Sequence, residues 1–152
     1  MVKFTTNYLE PFFVGLFEAQ GKLYFRKLAT SKTPFLRIKL PPTKENKAML
    51  ELLNTRLELH GFVHITKSTK GKPSKVMWQS NKHSIHRVCA IFEQYPPLTY
   101  ETKNIYANFH PRSEQNNDLL REYSPFVYPK YFGAWVSGFL ETYSNFVFDN
   151  TF

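Results

Sequence analysis

The chain has 152 residues, with 20 Lys+Arg against 12 Asp+Glu and a formal net charge of +8. That length holds one domain and not two full ones, and 42% hydrophobic with 21% charged residues excludes a chain disordered by composition. The single cysteine, Cys89, excludes an internal disulfide and a multi-cysteine zinc site. It lies in the apolar run VCAIF and is expected to be a small core residue.

No stretch reaches the roughly 18 uninterrupted apolar residues of a membrane span, so no membrane partner is expected. The N-terminal MVKFTTNYLEPFF carries neither a secretory h-region with a cleavage site nor an Arg/Ser-rich presequence. The protein is therefore expected either to be made where it works or to be already mature. Aromatic residues stand at 17%, with 15 Phe and 9 Tyr against 6 Gly. AT-rich coding produces such usage and points to an organellar genome; an aromatic-rich core accounts for it equally well.

The first element, from residue 8, reads as an apolar helix with Gly15 at its centre and Pro11 near its start, where proline is tolerated. GKLYFRKLA, the turn TSKT and PFLRIKL then read as two strands alternating at period two. Leu23 and Phe25 face one way with Leu36 and Ile38; Lys22, Tyr24 and Arg26 face the other way with Phe35, Arg37 and Lys39. Thr43 can cap a helix through KENKAMLELLNTRLEL, whose apolar stripe is Met49, Leu50, Leu53 and Leu57. A second hairpin follows in GFVHITKST, KGKPS and SKVMWQS, with Val63, Ile65, Val76 and Trp78 on one face. His64, Thr66, Lys75, Met77 and Gln79 lie on the opposite face.

NKHSIHRVCAIFEQY reads as a helix presenting Ile85, Val88, Cys89 and Phe92, and Pro96 and Pro97 stop it. TYETKNIYANF is a shorter helical segment, residues 112–128 read as a linker, and a last apolar helix carries Gly138, with Pro129 near its start and a strand over 145–152 after it.

The cations are gathered. Residues 22–39 hold Lys22, Arg26, Lys27, Lys32, Arg37 and Lys39 and no acid; residues 60–88 hold Lys67, Lys70, Lys72, Lys75, Lys82 and Arg87, with His60, His64, His83 and His86 and again no acid. Together they carry 12 of the 20 basic residues, all in or beside the two hairpins. A one-sided sheet whose solvated face is cationic and partly aromatic suits phosphate contact together with base or sugar contact. The face is expected to bind nucleic acid through Lys22, Tyr24, Arg26, Phe35, Arg37, Lys39, His64, Thr66, Lys75 and Gln79, with Lys70 and Lys72 from the second turn. The histidines lack a cysteine or acid at zinc-site spacing, so no metal site is expected of them.

FFVGLFEAQGKLYF and WVSGFLETYSNFVF resemble each other: each is an apolar helix with a central glycine, an acid three residues later and a strand-like exit. Gly costs about 1 kcal/mol relative to Ala inside a helix, which calls for a packing reason, and close approach of two helix backbones at Gly15 and Gly138 supplies one. The segments FVGLFEAQG and VSGFLETYS, the αββαββα order and YPPLTYETKNIYANF together resemble the LAGLIDADG homing endonuclease family.

The resemblance implies an α+β fold of αββαββα order with an antiparallel sheet lying against nucleic acid. A first repeat falls at 1–111, a linker at 112–128, and a second motif helix with its following strand at 129–152, an incomplete second repeat. The family holds divalent metal between two acids, and the positions of those acids fall on Gln20 and Tyr143. Glu18 and Glu141 match another motif position; a shift of two residues turns a helical side chain by about 200°, so they are expected to point away from a shared metal. Ser144 replaces the glycine that ends the second motif.

No catalysis and no cofactor are therefore expected, Mg²⁺ being needed only for a residual nuclease activity. The expected function is a catalytically inactive protein binding structured RNA in a mitochondrion or other organelle. A structural, rRNA-binding component of a mitochondrial ribosome, among other proteins of that assembly, is favoured over an intron RNA partner. The alternative is a fragment or subunit of an active LAGLIDADG DNA endonuclease whose missing half another chain supplies. A third reading has Tyr123, Phe126, Tyr128 and Phe132 docking a protein partner, against a linker that packs on its own domain.

Overall fold

The structure, a computed structural model, describes residues 6–28, 31–99, 101–104 and 129–151, without the side chains of Thr6, Leu28, Ser31, Lys32 and residues 142–151. Its elements are α1 (Thr6–Gln20), β1 (Gly21–Leu28), β2 (Ser31–Leu40), α2 (Lys44–Arg56), β3 (Phe62–Lys67), β4 (Pro73–Gln79), α3 (Lys82–Gln94) and α4 (Phe132–Thr151). The class is α+β, with one four-stranded antiparallel sheet in the order β1-β2-β4-β3. Two compact units divide the chain: residues 20–88, and residues 1–19 with 89–152. This division places α1 and the start of α4 in one unit, whereas the repeat boundaries separate them; the linker at 112–128 lies outside the described residues.

In the unit of residues 20–88, the register pairs Leu23 with Leu36, Ile38 with Trp78, Leu40 with Val76, Val63 with Trp78 and Ile65 with Val76, so one face collects every apolar alternate. Leu36, Ile38, Leu40, Val76 and Trp78 are buried there, all on the central strands β2 and β4. Phe25 and Ile65 share that face but are 55% and 39% exposed. They belong to the edge strands β1 and β3, where a side chain has sheet neighbours on one flank only. α2 lies against β3 and β4.

Thr43 caps α2, its Oγ1 accepting from the Asn46 N–H at 3.1 Å. The helix stops at Arg56, short of the expected Leu59, because Glu58 turns to φ 53°. The Glu58 N–H then donates to the Thr55 carbonyl and the Leu59 N–H to the Asn54 carbonyl, at 3.3 and 3.0 Å. This is a Schellman ending with a buried leucine after it, and it outweighs the strain of a non-glycine residue in the left-handed region.

Asn54 pins the next turn. Its Oδ1 accepts from the Gly61 N–H (2.8 Å) and from Trp78 Nε1 (2.9 Å), while its Nδ2 donates to the Gly61 carbonyl (3.1 Å). A Cβ on Gly61 would stand 2.6 Å from both the Gln79 carbonyl oxygen and Trp78 Nε1, so only glycine fits. Asn81 caps α3, accepting from the His83 and Ser84 N–H groups, and Arg87 Nε donates to the Leu57 carbonyl at 2.8 Å. One cation of the second basic segment thus closes the end of α2.

In the other unit, Phe13, Phe17 and Phe92 pack in series with their rings tilted against one another, and Leu9, Val14, Leu16 and Ile91 are also buried. Cys89 is half-buried and not a full core residue; burial, and then the charge of Glu93, raise its thiol to about 11. Pro11 sits at the sixth residue of α1, past the first turn, where it cannot donate the helical bond to Asn7. Of the helical segment expected after α3, Thr99 and residues 101–104 are described; Thr99 forms a bend and 101–104 are helical.

The strand expected over 145–152 is absent: α4 runs on through Thr151. A three-residue apolar run, Phe146–Phe148, does not distinguish strand from helix by periodicity, and extending an existing helix adds a hydrogen bond per residue with no new nucleus.

Candidate functional site

The opposite face of the sheet collects the other alternates. Cross-strand partners on it are Lys22 with Arg37, Tyr24 with Phe35, Arg26 with Thr33, Arg37 with Gln79, Lys39 with Met77, Met77 with His64, Gln79 with Phe62 and Lys75 with Thr66. Period two puts Lys22, Tyr24, Arg26, Phe35, Arg37, Lys39, His64, Thr66, Lys75 and Gln79 together here. Lys70 and Lys72 stand off the face, exposed in the turn between β3 and β4. Met77 belongs to the face but is only 7% exposed, as expected for an apolar side chain covered by the stems of longer polar neighbours.

Tyr24 and Phe35 stack with centroids 5.5 Å apart and planes 17° from parallel. The Arg37 guanidinium lies over both rings, at 4.9 and 5.1 Å, and donates through Nη2 to Gln79 Oε1 at 3.0 Å. Lys39 Nζ stands 5.7 Å from the Tyr24 centroid and the Arg26 guanidinium 5.7 Å from the Phe35 centroid. Each such contact is worth about 0.5–1 kcal/mol at an exposed site. Their larger consequence is order: the cations are held against rings and not against carboxylates, so their charge stays available to an anion.

Two further residues belong to this surface. Phe62 is 63% exposed and opens β3 two residues before His64; its alternation with His64 was the available signal, obscured because it stands next to Gly61 at the strand's edge. Lys82 is exposed at the start of α3, where no strand alternation in the sequence ties it to the sheet face.

Between α1 and α4 the glycines form a reciprocal contact. A Cβ on Gly15 would overlap the Trp135 carbonyl and stand 2.9 Å from the Phe139 backbone nitrogen; one on Gly138 would overlap the Phe12 carbonyl and stand 3.0 Å from the Leu16 nitrogen. Phe132, one of the aromatics considered for docking, stacks on Trp135, which stacks in turn on Phe139. Tyr123, Phe126 and Tyr128 lie outside the described residues.

Glu18 is tied down. Its Oε1 accepts from the Leu98 N–H (2.8 Å), the Thr99 N–H (2.7 Å) and the Thr99 hydroxyl (2.8 Å), and its Oε2 accepts from Trp135 Nε1. Burial raises its pKa above the ordinary carboxylate value, and these hydrogen bonds oppose the rise. Buried Lys103 feels the same carboxylate: burial pulls its ammonium below the ordinary value and the Glu18 charge pulls it back. Gln20 ends α1, half-buried; the Tyr143 and Ser144 side chains are not described. Among the described residues no cluster of three or more His, Cys, Asp or Glu could hold a metal ion, and no helix is long and apolar enough to cross a membrane.

A sheet of this topology with two glycine-bearing helices in backbone contact defines a LAGLIDADG-type α+β fold. A family model described as LAGLIDADG endonuclease matches residues 13–110, and the chain belongs to that family. Similar solved structures include the LAGLIDADG meganuclease I-AabMI bound to uncleaved DNA, at 16% identity and TM-score 0.55, covering 88% of this chain and 56% of that one. The I-LtrWI homing endonuclease bound to target DNA matches at 16% identity and TM-score 0.56, covering 91% and 58%. Meganuclease I-SmaMI bound to uncleavable DNA matches at 14% and 0.54, covering 88% and 57%. The chain thus spans less than three-fifths of these structures. No curated protein matches it.

Proposed function

We propose that this chain binds nucleic acid through the cationic, aromatic sheet face and does not cleave it. The observation that carries the reading is Arg37 held over the stacked Tyr24 and Phe35 rings, flanked by Arg26 and Lys39, with no acid on that face. Ordered cations neutralise phosphates, and the half-buried Tyr24 and Phe35 with the exposed Phe62 offer ring surface to unpaired bases; both suit structured RNA. The aromatic-rich composition is in keeping with an organelle, where the binding partner is the RNA of a mitochondrial ribosome in preference to an intron RNA.

Absence of cleavage rests on the donor chemistry. Mg²⁺ wants anionic oxygens in octahedral geometry, whereas the motif positions of the metal-holding acids carry the neutral residues Gln20 and Tyr143. Glu18 cannot substitute while its oxygens accept four hydrogen bonds. The residues present do not fit the metal, and no metal-dependent step is assigned to them.

The test is the salt dependence of binding to structured RNA by the wild type and by Arg26→Ala/Arg37→Ala/Lys39→Ala. Removing three phosphate contacts should weaken binding and flatten the slope of log K against log salt by about 2. An unchanged slope sinks the face assignment. A second reading, one part of a DNA endonuclease, is favoured by the DNA-bound state of the similar structures and by their greater length. Mg²⁺-dependent nicking of DNA by the purified chain, unchanged in Gln20→Ala, would establish it in place of the first.

A further inference from the structure

β4 ends at Gln79, while β2 continues past it toward Thr33 and β3 begins opposite at Phe62. The sheet therefore has a notch on its cationic side. The notch encloses about 270 Å³ and is walled by Arg26, Thr33 and Phe35 on one side and Phe62 on the other, with the segment 80–82 as its floor.

The floor is built. The Leu36 N–H donates to Ser80 Oγ at 2.7 Å, the Ser80 N–H donates to the Leu36 carbonyl at 2.9 Å, and the Asn81 amide is used by the His60 carbonyl and the first turn of α3. The walls are not used up. Phe62 is 63% exposed, Arg26 is exposed and lies over the Phe35 ring, Lys82 is exposed, and the Gln79 side-chain Oε1 accepts from Arg37 while its Nε2 is a donor. The volume lies just below the roughly 300–1,000 Å³ of small-molecule sites and suits one base with its sugar.

We propose that this notch receives a single unstacked nucleotide, its base against Phe62, an acceptor on its edge facing the Gln79 amide, and its flanking phosphates on Arg26 and Lys82. A base–aromatic stack tolerates any base, two cations without an acid beside them select the phosphodiester on either side, and the donor on Gln79 favours a base with a carbonyl edge. The inference rests on the nucleic-acid reading and narrows it: paired helix contacts the open face, and one extruded residue enters the notch.

Three RNA stem-loops test it: one with a single bulged uridine, one with an abasic residue at the bulge, and one fully paired, each also made with a deoxyribose backbone. The full chain should bind the bulged stem about tenfold more tightly than the abasic one. Phe62→Ala should remove that difference and leave the paired stem within about twofold, while Phe62→Trp keeps it. Equal binding of bulged and abasic stems by the wild type overturns the notch while leaving the open face in place. So does an equal loss on all three stems in Phe62→Ala. Absence of salt-dependent binding to every probe overturns both the notch and the reading beneath it. The deoxyribose arm reports which sugar the site takes.

Discussion

Replacing Gly15 by alanine sets two opposite expectations against each other. Helix propensity alone favours alanine by about 1 kcal/mol inside a helix. At this position, however, the new methyl overlaps the Trp135 carbonyl and stands 2.9 Å from the Phe139 backbone nitrogen. Ordinary contact needs about 3.5 Å, so α1 and α4 must separate by roughly half an ångström at Phe139 and by more at the carbonyl. A gap of that size forfeits roughly a quarter to a half of each contact along the seam, and overpacking of this kind costs about 1–3 kcal/mol. The balance is a loss of about 2 kcal/mol, or roughly 4–8 °C in Tm for a chain of this size, read by thermal unfolding followed by circular dichroism. Gly138→Ala should behave alike, and the double variant should cost about as much as either alone, since one separation relieves both overlaps. Gly133, whose added Cβ meets nothing within 4 Å, is the control, and Gly133→Ala should hold or raise Tm. A rise in Tm for Gly15→Ala matching that of Gly133→Ala would refute the close-contact reasoning.

Glu18→Gln should flatten the acid side of the stability profile. The raised pKa means the folded state holds a proton that the unfolded state has released, so the wild type loses stability as pH rises through and beyond the ordinary carboxylate range. Comparing urea midpoints at about pH 4.5 and about pH 7 checks this, and a variant with the wild-type slope would assign the pH dependence elsewhere. At neutral pH the same substitution puts a donor against Trp135 Nε1 or against the 98–99 backbone and should cost about 1–3 kcal/mol. Asn54→Ala leaves the buried Trp78 indole N–H and the Gly61 N–H without their acceptor, an expected loss of about 2 kcal/mol or more by urea unfolding. It should also loosen Phe62, one residue beyond the pinned glycine, detectable as faster amide exchange at the start of β3.

Alternation in LYF, FLRIK, VHI and VMW is a one-dimensional signal that survives folding intact, because side chains on a strand have only two directions and the register of one paired residue sorts all the others. The αββαββα order, the sheet's two faces and the glycine-bearing helices could therefore be read from the chain alone. So could the composition of the cationic face, whereas the pairing of Tyr24 with Phe35 and of Arg37 with Gln79 across it came from the strand register. Element ends were less legible. The stop of α2 depended on Glu58 adopting a positive φ, which the sequence does not mark with a glycine, and the end of α4 depended on a short apolar run of either periodicity.

Tertiary structure alone decided which groups remain available for chemistry. Glu18 meets donors 80 and 117 positions away in sequence, Arg87 is diverted to a carbonyl 30 positions back, and Asn54 joins a helix to a tryptophan 24 positions on. None of these partnerships has a period or a motif. The notch beside Phe62 likewise exists because β4 stops at Gln79, level with the start of β3, while β2 continues past it. Local pattern determines direction, toward or away from a core, while hydrogen-bond partners and concave space depend on where remote segments end up. That is why the face was written in the sequence and the notch within it was not.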